Sequence, residues 1–546
     1  MARRWFFVGI ALTLVVETLF ALFWPAGLWT LLIVAPVFLL GVADMLQTDH
    51  TILRNFPILG HVRYLFEEVR PEIQQYFIES NVDPHPIERE MRSLVYQRAK
   101  GELETKPFGT ERDVYRVGYE WAAHRMREAP PVDEDPRILI GEINCAKPYS
   151  SSLLNISAMS FGALSPTAIR ALNMGARHGE FSHNTGEGGI SPHHVAGGGD
   201  LVWQVGTGYF GCRTKDGGFD PGLFRENAAS EQVRMIEIKL SQGAKPGHGG
   251  LLPGVKVTLE IAMIRGVPVG ETVFSPPRHS TFRTPIELLE FVAKLRDLSG
   301  GKPVGFKLCV GERREFLAIC KAMIETRITP DFITVDGGEG GTGAAPLEFS
   351  NSIGMPGRDA WAFVHSALVG AGVRDRVHII ASGKILTGFH MVRAIALGAD
   401  ACNSARGFML SLGCIQALRC NNDKCPTGVA TQNPALYRGL VVKDKWERVS
   451  RFHAGTVQSF VELLGAMGVS SPSEVTPDLI FRRIGDMRVQ TFEQLYDFLE
   501  PGALVEELAP EDWMHEWWAA DAHSFKRTGR GGQPPQVGAN AAQASQ

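Results

Sequence analysis

Three rhythms of hydrophobic and polar positions run along this chain. From Trp5 to Ala43 the apolar run is nearly unbroken, with Glu17 its sole charged side chain, and it divides at Trp24-Pro25-Ala26-Gly27. Each arm holds about 17–19 apolar residues, enough for a helix to cross a hydrocarbon layer roughly 30 Å thick. Trp5, Trp24 and Trp29 stand near the ends of the arms, where indole rings favour a membrane interface. The pattern predicts a two-helix transmembrane hairpin over residues 1–48. A cleaved signal sequence behind Arg3-Arg4 is one competing reading, and a soluble or interfacial hairpin is another. The signal sequence leaves the second arm unexplained, and no small-residue cleavage site separates the arms. Two crossings return the chain to its starting side. Arg3 and Arg4 before the hairpin, with Arg54, Arg63 and Arg70 after it, place both ends and the main body in the cytoplasm. Glu17 would have to snorkel, pair within the hairpin or face a partner.

The second rhythm, over residues 49–135, is charged and helix-prone. Pro57, Pro71, Pro84 and Pro86 are expected to break it. Glu67-Glu68-Val69-Arg70 and Ile87-Glu88-Arg89-Glu90 read as exposed faces of amphipathic helices, so this stretch is expected to be a helical collar or linker.

The third rhythm alternates short apolar β-type runs with helical stretches over residues 136–482. Leu153–Ala158, Val233–Lys239, Val304–Cys309, Phe332–Val335 and His378–Ala381 read as strands, and Pro166–Ala176, Pro285–Leu298 and Phe389–Leu397 as helices. Glycines gather just after the strand ends, at Gly186–Gly189, Gly337–Gly341 and Gly383. This predicts an α/β fold, a (β/α)8 TIM barrel with its site at the C-terminal rim and a phosphate on the last loops. A doubly wound sheet is the runner-up. No GxGxxG follows an early strand with an acidic residue at the right distance, so a dinucleotide Rossmann domain has no support. Residues 483–526 are expected to form a C-terminal helical extension, and the Gly/Pro/Gln/Ala-rich residues 527–546 a disordered tail.

The net charge of the 546 residues is −4, and no Lys/Arg block provides the positive field that nucleic acid requires. Eight cysteines are too sparse for a disulfide scaffold, but Cys414, Cys420 and Cys425 form a C-x5-C-x4-C-P run. Three thiolates suit an iron–sulfur cluster with three protein ligands; zinc would need a fourth ligand, and no His lies in the run. Cys145, Cys212, Cys309, Cys320 and Cys402 lack such spacing and read as core residues. Ser382-Gly383-Lys384 and Ala405-Arg406-Gly407 end consecutive β-type runs. Their backbone N–H groups and the Arg406 fork form a candidate phosphate site, with tight turns as the alternative reading of each loop.

Taken together, Ser157–Ser165, Asn184–Gly189, Lys239–Gly247, Asp336–Pro346 and the cysteine run ending Thr431-Gln432 resemble the FMN-binding synthase domain of glutamate synthases over about residues 140–480. The resemblance implies FMN on the barrel rim and a [3Fe-4S] cluster on Cys414, Cys420 and Cys425. It assigns the flavin to Ser157, Met159, Ser160, Lys239, Lys307, Gly338, Gly341, Ser382, Gly383, Arg406 and Gly407. Lys307 would stand near the flavin pyrimidine ring, where positive charge favours the reduced anion. Glu187 and Lys245 take the catalytic positions, and Arg265 and Gln242 those that bind a dicarboxylate. The implied reaction is reductive amination of 2-oxoglutarate to glutamate through an imine, with hydride from FMN. One departure bears on substrate: after Lys-Pro-Gly the family reads Glu-Gly-Gly-Gln, whereas this chain has His248-Gly-Gly-Leu251. No glutaminase or nicotinamide domain is recognisable in the sequence. Electrons are therefore expected from a ferredoxin-like or membrane-associated partner, and a homo-oligomer is compatible with the sequence. The alternatives are the same machinery on another oxo or amino acid, exchanging electrons with the membrane, and a non-catalytic membrane-bound assembly subunit.

Overall fold

A computed structural model describes residues 2–82, 85–126 and 132–526, so Pro84 and the expected tail over 527–546 lie outside the described residues. The chain separates into two compact units, Met1–His85 and Pro86–Gln546. The stretch expected to be one collar is therefore divided between them.

In the first unit, helices Ala2–Phe23 and Leu31–Leu46 are joined by a 3-10 turn over Pro25–Thr30. They contribute two apolar spans of 21 and 22 residues, each long enough to cross a membrane. Their large side chains, among them Leu12, Leu14, Leu32 and Leu39, point outward, as those of a soluble core helix do not. The arms meet through Phe6 and Phe38, edge to face at 6.0 Å. Gly41 permits this approach, since a Cβ there would come within 2.3 Å of the Phe6 ring. Glu17 pairs inside the hairpin, accepting a hydrogen bond from Thr30 Oγ1 at 2.7 Å. Pro71 does not end its helix. Leu59–Ile73 runs through it and then widens into a π-turn over Gln74–Ile78.

The second unit is built on eight parallel strands: β1 (Leu154–Ile156), β2 (His183–Asn184), β3 (Leu201–Val205), β4 (Val233–Lys239), β5 (Val304–Leu308), β6 (Phe332–Asp336), β7 (His378–Ser382) and β8 (Ala401–Ser404). Neighbours pair in order, and β8 pairs with β1 to close the barrel. Closure settles the choice against an open doubly wound sheet. β3, β5 and β6 are buried along their whole length, because helices cover the outside and side chains fill the inside. The helices start where local chemistry dictates. Ser165 caps Pro166–His178 by accepting from Ala168 N, and Thr284 with Glu287 forms a capping box for Pro285–Leu298. Helix Arg89–Lys100 and the long helix Val442–Met467 pack together, and the latter also packs on Pro166–His178.

The segment expected to be a helical extension begins instead as a β-hairpin, Ile480–Gly485 with Arg488–Thr491, whose first strand pairs with Glu120–Ala122. Trp121 stacks on Phe481 at 5.6 Å. The buried Glu120 carboxylate meets Arg358, Arg393 and Arg482. The strand owes its existence to a partner some 360 residues away in sequence, which no local period reveals. Helix follows only at Glu511–Ala519, apart from one turn at Phe492–Leu495.

Candidate active site

A cavity of about 600 Å³ opens at the C-terminal ends of the barrel strands, within the size range of cofactor and substrate pockets. Lys239, Lys245, Arg265, Lys307, Lys384, Arg406 and Arg419 line it, against the carboxylates Glu187 and Asp336. Such an excess of cationic side chains suits an occupant with several negative charges.

At one end, the loops after β6, β7 and β8 contribute Gly340, Gly341, Thr342, Ser382, Gly383, Lys384, Arg406 and Gly407. Gly383 has φ of 142°, a conformation that only glycine adopts readily, and it directly follows β7. Arg406 reaches across to donate Nη2 to the Glu339 carbonyl at 2.8 Å, and burial pushes its pKa down. Ser157 Oγ, after β1, lies 3.4 Å from Ser382 Oγ. Gly338 is the exception among the glycines assigned to the cofactor. Its N–H donates to the Met355 carbonyl, and it is Gly340 and Gly341 that face the cavity.

At the other end the polar atoms belong to side chains. Lys239 ends β4 and Glu187 follows β2; they pair at 2.8 Å. Burial works to raise the Glu187 pKa, but Lys239, then Arg265 and Lys245, overcome it and hold the carboxylate below its ordinary range. Lys245 is buried, and desolvation lowers its pKa despite the attraction of Glu187. Lys245, Arg265 and Gln242 all come from the long excursion between β4 and β5, which folds back over the barrel mouth. Arg265 packs 5.1 Å over the Phe210 ring and donates Nη2 to the Phe161 carbonyl at 3.0 Å. Its Nε is buried without a partner, and burial lowers its pKa to about 10. Met159 and Ser160 also line the cavity, with Ser160 Oγ 3.5 Å from Arg265 Nη2. On the barrel floor Lys307 Nζ lies 3.4 Å from Asp336 Oδ2, which also accepts Gly243 N–H at 2.9 Å.

Cys414, Cys420 and Cys425 line the same cavity, and all three are free of disulfides. Among the described residues no group of three His, Cys, Asp or Glu side chains converges as a single-ion site. A cluster is a different case, because each thiolate binds its own iron. Burial pushes the Cys414 thiol up to about 12 and raises Cys420. At Cys425 burial is outweighed by the Thr427 hydroxyl, 3.5 Å away, and by backbone N–H groups, so its pKa falls. Gln432 ties this loop to the barrel by donating Nε2 to the Leu164 carbonyl at 2.7 Å.

Several contributors escaped the sequence reading. Buried Lys256 donates to the carbonyls of Cys420 at 2.9 Å and Ala430 at 2.8 Å, bracing the cysteine loop. His279, held neutral by burial at a pKa of about 4, donates Nε2–H to the Lys239 carbonyl and accepts from Tyr209. No spacing marks either residue. Lys384 was visible as part of Ser-Gly-Lys, and its φ of 52° turns it beside Arg406. Leu251, at the departure from the family pattern, lines the cavity, whereas His248 stacks edge-on against Phe349.

Residues 119–470 match the model of the conserved region in glutamate synthase. The glutamate synthase large subunit-like protein YerD of Bacillus subtilis is 36% identical, over 83% of this chain and 94% of its own length. The archaeal glutamate synthase [NADPH] of Methanocaldococcus jannaschii is 35% identical over 58% of this chain, which spans 59% of that relative's length. Among solved structures, mandelate oxidase aligns over 68% of this chain and 87% of its own with a TM-score of 0.41 and 16% identity.

Proposed function

This chain belongs to the glutamate synthase family, oxidoreductases acting on CH–NH2 donors, and from that premise we propose that it is a membrane-anchored FMN and iron–sulfur enzyme that reductively aminates 2-oxoglutarate to glutamate. The observation that carries the reading is one cavity with a glycine-rich backbone cradle beside Arg406 at one end and the Glu187–Lys239–Lys245–Arg265 charge cluster at the other.

The donor set fits FMN. Ser382, Gly383, Arg406 and Gly407 would hold its phosphate, and Ser157, Met159, Ser160, Lys239, Lys307 and Gly341 the remainder, all from the cavity wall. When bound, FMN supplies a two-electron carrier that gives or takes hydride. Lys245 and Arg265 bind the carboxylates of the oxo acid, and Gln242 orients it. Glu187, kept ionised by its cationic neighbours, accepts a proton at a carboxylate oxygen as the amine nitrogen condenses. The apolar wall of Leu251, Leu252 and Val273 excludes water from that nitrogen. Cys414, Cys420 and Cys425 would hold a [3Fe-4S] cluster, whose chemistry is single-electron relay from a ferredoxin-like or membrane-associated donor. The two apolar helices anchor the chain, with Arg3, Arg4, Arg54, Arg63 and Arg70 on the cytoplasmic side.

The test is anaerobic purification followed by the absorption spectrum, identification of acid-extracted flavin, iron counting, and turnover of 2-oxoglutarate and ammonia with a chemically reduced donor. Flavin, iron and glutamate formation are expected. Protein free of flavin after flavin-replete expression overturns the reading, and stoichiometric zinc overturns the cluster. Leu251 favours a second reading in which the same machinery acts on a different oxo acid: an apolar side chain stands where the family's glutamine would meet a polar substrate group. A panel of oxo acids decides, with preference for an apolar side chain supporting the second reading.

A further inference from the structure

Beyond the two apolar spans, the first unit holds another surface whose chemistry calls for a partner. Helix Leu59–Ile73 is amphipathic: at 3.6 residues per turn, Leu59, Val62, Leu65, Phe66, Val69 and Ile73 fall within an arc of about 120°. That stripe is open. Leu59 is 67% exposed, Phe66 61% and Leu65 57%, and the following turn adds Phe77 at 83%. Arg63 and Arg70 fall at one margin of the stripe, while Glu67, Glu68 and Glu72 take the rest of the polar face. Isolated exposed apolar residues need no explanation, but a continuous stripe of them does.

The placement of this helix says what covers it. Asp44, buried near the end of the second apolar span, accepts the Ile58 N–H at 2.8 Å with Oδ2 and meets His61 Nε2 at 2.8 Å with Oδ1. The elbow so formed is strained, because Ile58 is β-branched and has φ of 66°. The carboxylate therefore holds the first turn of the amphipathic helix at the level where the apolar span ends at Leu46. That level is where acyl chains give way to headgroups. Near it, Arg3 Nε donates to the Arg54 carbonyl at 2.6 Å, adding to the cationic groups on that side.

We propose that helix Leu59–Ile73 lies in the membrane interface with its apolar stripe in the acyl layer and Arg63 and Arg70 at anionic headgroups, a third lipid contact set in place by the Asp44 elbow. The proposal rests on the membrane reading of the hairpin. An in-plane helix of this composition binds by buried apolar area together with attraction to anionic lipid.

The test uses the full chain reconstituted in vesicles of phosphatidylethanolamine and phosphatidylglycerol. A diazirine-bearing residue is installed singly at Leu32, Val62, Phe66 or Glu68, photolysed, and its adducts identified by mass spectrometry. Lipid adducts at Val62 and Phe66 in yields comparable to Leu32, with loss of the adduct at Glu68 on the opposite face, are the expected result. Lipid at Leu32 but only protein adducts at Val62 and Phe66, whether from a second copy or from the barrel, overturns the proposal while the hairpin stands. Lipid at Leu32 and equal lipid yields at Phe66 and Glu68 also overturns it, since the helix would then have no preferred face. Absence of lipid at Leu32 overturns the hairpin reading itself, and the proposal with it.

Discussion

At the end of the cavity formed by the loops after β6, β7 and β8, the lining is rich in glycine beside Lys384 and Arg406, and the sequence stretches that build it are short and local. At the opposite end it consists of side chains from the loop after β2, from β4 and from the β4–β5 excursion, coupled to one another through their charges. The two constructions fail in different ways. A glycine-rich cradle survives most side-chain changes but holds its ligand more weakly when its one guanidinium is removed. A charge cluster can lose a member and still hold its cofactor, yet each remaining group then titrates differently. The comparison separates cofactor retention from turnover, and it can be tested from both ends.

The largest effect is expected at the charged end. Glu187→Gln should lower turnover by on the order of 10²–10⁴-fold while flavin content stays at the parent level, the range for losing a positioned proton-transfer group. Lys245→Ala, which removes a cation that holds the substrate carboxylate, should lower kcat/KM with flavin content likewise unchanged. Steady-state rates beside flavin stoichiometry check this; parallel loss of flavin would erase the distinction between the ends. Arg406→Ala should do the reverse, weakening flavin binding by about 10–100-fold, as expected for a charge-assisted hydrogen bond. Turnover should return when FMN is added in excess. Flavin titration by fluorescence quenching measures it, and full occupancy without added FMN would count against the cradle.

A smaller effect concerns the departure at Leu251. Leu251→Gln should lower KM for 2-oxoglutarate by about fivefold to tenfold, the contribution of one hydrogen bond, with kcat nearly unchanged. An unchanged KM would mean that Leu251 does not face the substrate.

The smallest effect at neutral pH, and the most diagnostic of coupling, is that of Lys239→Met. The Lys239 charge lowers the pKa of both Glu187 and Lys245. Removing it should raise both, so the acid and alkaline limbs of the kcat/KM profile of flavin-saturated enzyme move to higher pH together. The same sign governs stability. A carboxylate held low in the folded state stabilises above its unfolded pKa of about 4.3, and that contribution disappears as pH falls through the folded value. The variant should therefore lose its Glu187 contribution at a higher pH than the parent, which thermal melts between pH 3 and 6 would resolve. Limbs that move in opposite directions would refute the coupling.

The parts of the molecule legible in the sequence were those with a local period or a local motif. β4 and helix Pro285–Leu298 stand at the residues that the pattern indicated, and the glycine loops at the strand ends lie at the rim where the cavity opens. β2 was not read as a strand because His183-Asn184 is only two residues long and carries polar side chains that are buried in the closed barrel, and β3 was not read either. The β-hairpin after Leu479 was hidden for another reason, since Phe481 needs Trp121 to stack on. Gly338 shows the limit of motif reading: the glycine was noticed, but the direction of its N–H depends on Met355 in a different loop.

By itself, then, the order of residues determined what is set by nearest neighbours: apolar spans long enough for a bilayer, βα units with their caps, glycines where the backbone must turn, and three cysteines at cluster-like spacing. Tertiary structure alone decided which charges meet. Glu187, Lys239, Lys245 and Arg265 span nearly eighty positions of chain and share one cavity, and Lys256 and His279 brace it from places no motif marks. The physical reason is range. Hydrogen bonds in turns and side chains along one helix act over a few residues, whereas desolvation and Coulomb attraction depend on distance in space, and barrel closure sets that distance.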